Sequence, residues 1–114
     1  MNYFLYIDDI RDDDKFFLRF SVSDTKWFPF IVRSYEDAVK KFKHRVSGDK
    51  FFVDLDHDLG FDDEQGIEKN GYDICKYIVE NEVPVVGFHI HSMNPVGAAN
   101  MRQLLTHYGI PEYF

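Results

Sequence analysis

Apolar residues in this chain gather in short runs that end on acids or histidines. Residues 3–8, YFLYID, form a brief apolar run of the kind buried on both faces of a parallel sheet, with Asp8 and Asp9 at its carboxyl end. FPFIVR, residues 28–33, reads as a second strand, with Pro29 near the start where a missing donor is tolerated. FFVDLD, residues 51–56, is a third, and VVGFHIH, residues 85–91, a fourth. Residues 10–26 fit less simply: FFLRFSVS alternates like a strand, but DDDK before it and SDTK after it argue for an irregular excursion.

Between the later strands the period changes to that of helices. Ser34 opens SYED, a capping-box pattern with Asp in place of Glu, and Tyr35, Ala38, Val39, Phe42 and Val46 fall on one face, predicting a helix that ends near Gly48. After the polar loop LGFDDEQGIEKNG, a second helix starts from Asn70 and Gly71, buries Ile74, Cys75, Ile78 and Val79, and is stopped by Pro84. Asn94 reads as the N-cap of a third, with Pro95 at its first position. Ala98, Met101, Leu104, Leu105 and Tyr108 carry that helix to a C-cap at Gly109. Alternating strands and helices predict an α/β fold with a parallel sheet and right-handed crossovers, in a single domain over residues 1–114.

Composition narrows the function classes. With 114 residues, 45% of them hydrophobic, there is material for one core. A net charge of -7 opposes unspecific binding to DNA or to an anionic membrane. The single cysteine, Cys75, excludes an internal disulfide and suits a reducing cytoplasm. YFLYI is too short and too soon followed by acids for a signal peptide, and no stretch reads as a transmembrane span. An edge strand near residues 16–22 is a candidate surface for a homodimer.

The stretch FFVDLDHDLG poses the chemical question. Asp54 and Asp56 share a strand face, and clustered carboxylates repel unless a cation or proton lies between them. In parallel sheets ligands bind beyond the carboxyl ends of the strands. Those ends here carry Asp8 and Asp9, then Asp56, His57 and Asp58, then His91, Ser92 and Asn94. Acids meeting there make an oxygen-rich site for Mg2+, Mn2+ or Ca2+, with Asp9 and Asp56 as direct ligands, Asp8 as an indirect one and the chain around Asp58 completing the shell. His57 and His91, beside the acids, are candidates for proton transfer, whereas His44 and His107 read as surface residues and His89 as a hydrogen-bonded core histidine. The H-x-H spacing leaves open a zinc or manganese site of His57, His89 and His91 with an aspartate. HSMNPVGAANM offers an anion-binding corner in which Ser92, Asn94, Gly97 and the helix N-terminus face a phosphate, unless Asn94 is an ordinary cap. Arg11 and Arg33 are the cations placed to assist, although Arg33 equally suits a surface ion pair.

These motifs resemble a known group. IDD after the first strand, Asp56 after the third and Ser92 after the fourth resemble the receiver domain of response regulators. YIDDIR, IVRSYEDA, DLDHDLG, NGYD and HSMNPVGAANM together resemble the cyclic-phosphate processing receiver domain family over nearly the whole chain. The resemblance implies a small receiver-like, flavodoxin-like three-layer fold with a truncated parallel sheet of about four strands. It also implies metal-dependent action on cyclic phosphates, namely RNA ends bearing 2',3'-cyclic phosphate or cyclic nucleotides. Asp8, Asp9, Asp56, His57, Asp58, His91, Ser92 and Asn94 carry over as the active centre. HYGIPEYF supplies no fifth-strand lysine, and residues 10–26 no regular first helix, which count against phosphosignalling.

In the resulting scheme Asp8, Asp9, Asp56 and Asp58 hold Mg2+ or Mn2+, His57 and His91 act as base and acid, and Ser92, Asn94 and the helix N-terminus hold phosphate oxygens. Asp56 is alternatively a nucleophile. The competing expectation is a non-catalytic module that binds a phosphorylated ligand, nucleotide or protein partner, for which the 18% aromatic content offers an interface or stacking surface.

Overall fold

A computed structural model describes residues 1–9, 27–59 and 69–113. Four strands form one parallel sheet in the order β2-β1-β3-β4: β1 (Asn2–Ile7), β2 (Phe28–Val32), β3 (Lys50–Leu55) and β4 (Val85–Ile90). Among the described residues three helices connect or follow them: α1 (Tyr35–Lys43), α2 (Gly71–Glu80) and α3 (Pro95–His107). The expected small α/β fold with a four-strand parallel sheet is what the chain forms. Strand order reverses between β1 and β3, the point beyond whose carboxyl ends open α/β sheets generally bind ligands.

Period-2 alternation in the strands divides the sheet into two faces. Leu5, Ile7, Phe51, Val53, Leu55 and Phe88 point to one, where Ala38 and Phe42 of α1, Ile74, Cys75 and Ile78 of α2, and Met101 and Leu105 of α3 cover them. Phe4, Tyr6 and Phe52 point to the other, against Trp27. Tyr113 joins this second face by lying over Gly87, where an added Cβ would stand 2.5 Å from its ring. The connection from β1 to β2, residues 10–26, lies outside the described residues; so do the expected irregular excursion, the dimer edge at 16–22 and the third layer's connecting segment. No helix among the described residues is long and apolar enough to cross a membrane.

Caps set two of the helix starts that matter for the site. Asn70 accepts from the Asp73 N–H while Asp73 accepts from the Asn70 N–H, a reciprocal capping box. Asn94 accepts from the Gly97 N–H, with Pro95 at the first helical position. The first and last helices end differently with respect to their sequence signals, the first ahead of its predicted end. The first stops at Lys43, because Arg45 caps the Phe42 carbonyl and Asp49 takes the Val46 N–H, leaving Val46 68% exposed instead of on the buried face. The last ends at His107 with the expected glycine cap: Gly109 lies at φ 81°, its N–H bonds the Thr106 carbonyl and the Ile110 N–H bonds that of Leu105, while Tyr108 is exposed instead of on the buried face.

Beyond Gly109 the chain turns back along the sheet. Phe88 donates to the Pro111 carbonyl and accepts from the Tyr113 N–H, forming a single parallel bridge on the outer side of β4. Arg102 of α3 fastens this segment through two 2.9 Å contacts from Nε to the Glu112 carboxylate.

Candidate metal centre

The sheet ladder runs one residue past three strands and so sets three functional side chains next to one another. Asp8 donates its N–H to the Val32 carbonyl, Asp56 to that of Ile7, and His91 to that of Leu55, at 2.9–3.0 Å. Alternation then turns Asp8, Asp56 and His91 to one face, the face of Tyr6 and Asp54, which are register partners on β1 and β3. Donor atoms of Asp8, Asp56 and His91 all lie within 4.8 Å of one another. Two carboxylates and an imidazole at such spacing can hold a divalent ion.

His91 is held on every side. Its Nδ1 lies 2.5 Å from Asp54 Oδ1 and its Nε2 2.9 Å from Asp8 Oδ2. The Tyr6 ring stacks on it at 4.7 Å and 7°. Both aspartates are about 1% exposed. Burial disfavours the charged imidazole, but the hydrogen bond and charge of Asp54, followed by those of Asp8 and Asp56, outweigh it and raise the His91 pKa. The cation that the acids require is thus, in part, His91 itself. Asp56 has the opposite problem: burial first, then the charges of Asp8 and Asp9, raise its pKa, against the lowering effects of His91 and of the His57 N–H.

A second group forms beside the first. His57 Nδ1 lies 2.8 Å from Asp58 Oδ1, and the Asn94 amide approaches both His57 Nδ1 at 3.4 Å and Asp58 Oδ2 at 3.5 Å. The imidazole rests on Gly97, where a Cβ would stand 2.4 Å from two ring carbons. The close approach that Gly97 allows is therefore made by His57. Nε2 of His57 has no hydrogen-bond partner among the described residues.

Of the four acids expected at a metal, the structure brings Asp8 and Asp56 together with His91. Asp9 stands half-buried nearby, felt by Asp56 as charge, and Asp58 is exposed and turned to His57. His89 bonds the Tyr113 carbonyl and does not join a three-histidine site. In the anion corner, Ser92 Oγ accepts the Asn94 N–H, Asn94 Oδ1 accepts the Gly97 N–H and the Asn94 carbonyl accepts the Ala98 N–H. The cap at Asn94 is thus the ordinary one, and it occupies much of the helix N-terminus. Arg33 reaches the Asp8 carbonyl with Nη1 at 3.3 Å, placing a guanidinium behind the acids. Arg11 lies outside the described residues.

Two contributors were not selected from the sequence. Tyr6 reads there as one apolar strand residue among several. Asp54 does carry a signal, its shared face with Asp56, but the pattern of β3 alone does not name its partner.

A parallel α/β domain whose strand order reverses at its centre, with acids at the two central strand ends, is a receiver-like domain. The chain belongs to the cyclic-phosphate processing receiver domain family, whose model matches residues 3–107. No curated protein and no solved structure matches it.

Proposed function

We propose that the protein is a metal-dependent phosphoesterase that opens cyclic phosphates, at RNA ends bearing 2',3'-cyclic phosphate or in cyclic nucleotides. The observation that carries this reading is the Asp8–Asp56–His91 cluster at the point where the strand order reverses, in a family tied to cyclic-phosphate processing. Asp8, Asp56 and His91 would hold the ion. The imidazole in this donor set favours Mn2+ over Mg2+. When bound, such an ion supplies Lewis-acid polarisation of a phosphoryl oxygen.

The protein's own groups divide the remaining work. His57, oriented through Nδ1 by Asp58, has Nε2 available to take a proton from water and return it to the leaving oxygen. His91, with both ring nitrogens engaged, is assigned to the ion instead. Arg33 places positive charge beside the acids, and the Ser92 hydroxyl retains a proton to donate to a phosphate oxygen. Asp56 as a nucleophile forming an aspartyl phosphate is the variant route.

Purified protein incubated with 2',3'-cyclic mononucleotides, RNA ends and 3',5'-cyclic or cyclic oligonucleotides, with Mn2+ or with chelator, tests the reading by product mass. Opening that needs metal and vanishes in Asp56→Asn supports it. Full activity of Asp56→Asn sinks the site assignment. A second reading, a binding module without turnover, is favoured by the two-sided engagement of His91 and would appear as retained nucleotide with no product.

A further inference from the structure

Asp54 is a carboxylate placed where the core would accept an apolar residue. It is 1% exposed on β3, between the aromatic Phe52 and the strand end, and its Oδ2 has no hydrogen-bond partner among the described residues. Drying a carboxylate and leaving one oxygen unpaired opposes folding, and an apolar side chain of similar volume would avoid that cost. The side-chain bond Asp54 makes among the described residues, accepted by Oδ1 from His91 Nδ1 at 2.5 Å, is therefore where its contribution lies.

That bond settles which way His91 faces. The Tyr6 ring fixes the plane of the imidazole, and the bond from the His91 N–H to the Leu55 carbonyl fixes its backbone. Neither distinguishes the ring from the same ring turned over. Asp54 does on its side, because a carboxylate only accepts: in the metal-free protein Nδ1 donates to Asp54 and Nε2 to Asp8, 2.9 Å away, and when Nε2 gives up its proton on the side of Asp56, Asp54 keeps the one on Nδ1. We propose that Asp54 is a positioning residue that keeps Nδ1 of His91 protonated and fixes the orientation in which Nε2 faces Asp8 and Asp56, the residues that would hold a divalent ion with it. With an ion bound, the arrangement would be a carboxylate–histidine–metal chain, in which loss of the outer carboxylate typically weakens metal binding about 10–100-fold. The metal half of this inference rests on the proposed function; the Asp54–His91 half stands without it.

Histidine 15N NMR of the metal-free protein and Mn2+ titration followed by electron paramagnetic resonance separate the two. The wild-type ring is expected to show an Nδ1-bound, strongly downfield and slowly exchanging proton, assigned by its absence in His91→Gln. In Asp8→Asn that signal should persist, since Asp54 holds Nδ1 independently. In Asp54→Asn it should move upfield or vanish, and Mn2+ affinity should fall about 10–100-fold. A wild-type His91 protonated only on Nε2, loss of the Nδ1 proton in Asp8→Asn, or a folded Asp54→Asn with unchanged ring signal and Mn2+ affinity would each overturn the proposal. The first two measurements hold even if Asp54→Asn fails to fold. Wild-type protein that shows the Nδ1 proton but binds no Mn2+ would remove the metal reading and leave Asp54 as the residue that orients His91.

Discussion

His91 ties together the charges around it, and its titration should be visible in the stability of the metal-free protein. Its folded pKa is raised above the ordinary 6.5, because Asp54 and Asp8 outweigh burial. A raised basic group contributes stability that is complete below 6.5 and disappears as pH rises through the folded value. Denaturant unfolding across neutral to mildly alkaline pH should therefore show declining stability, and His91→Gln should flatten that decline. Asp56 carries the reverse sign. Its pKa is raised from 3.8 by burial and then by Asp8, so the folded state is penalised progressively as pH climbs above 3.8. Metal-free Asp56→Asn is thus expected to melt higher than wild type at neutral pH while losing turnover; a lower melting temperature would contradict the assigned repulsion. The sequence made Asp56 legible because it stands at a strand end beside a glycine-rich loop. It did not identify the partner of Asp54, because the pairing of β3 with β4 shifts register between Phe51 and Phe52, and such an irregularity has no signature in the local alternation.

At the scale of elements, two glycines hold the site by what they omit. Gly71 opens α2 directly against β3: its N–H bonds the His57 carbonyl at 2.8 Å, and a Cβ would stand 2.1 Å from the Asp56 carbonyl oxygen. Backbone cannot yield as a side-chain tip can. Gly71→Ala should therefore cost about 1–3 kcal/mol or more in denaturant unfolding and disturb Mn2+ binding with it. Gly97→Ala meets a movable ring instead of backbone. Alanine raises helix propensity by roughly 1 kcal/mol, so the fold should be kept or strengthened. If His57 moves protons, turnover should nevertheless drop by roughly the 10²–10⁴ that a positioned acid or base contributes. Unaltered turnover in Gly97→Ala would remove His57 from the mechanism. The strands and the starts of the three helices were readable from period and caps. The end of α3 was readable from Gly109, but that of α1 was not: Arg45 and Asp49 close it by side-chain bonds to backbone, which compete with continued helix without interrupting the apolar spacing that includes Val46.

For the molecule as a whole, strand order does what no single element can. With β1 and β3 central, Asp8 and Asp56 become neighbours although 48 positions separate them, and β4 brings His91 to the same edge. That convergence was inferred from alternating strands and helices and is what the sheet forms. An ion gathered by these three elements must stabilise their association. At a free Mn2+ concentration 100 times the Kd, mass action gives about 2.7 kcal/mol. The melting temperature of the wild type should accordingly rise with Mn2+, whereas that of Asp8→Asn should not. Helical cover on the other face gives the chain a built-in clock. Cys75, the single thiol, is sealed under α2, and burial pushes its pKa far above the usual range. A thiol reagent can then reach it only when the helical layer parts from the sheet. The rate at which one label is incorporated counts those openings, and a slower rate with Mn2+ present would report, from the far side of the sheet, that the strand ends have been tied together.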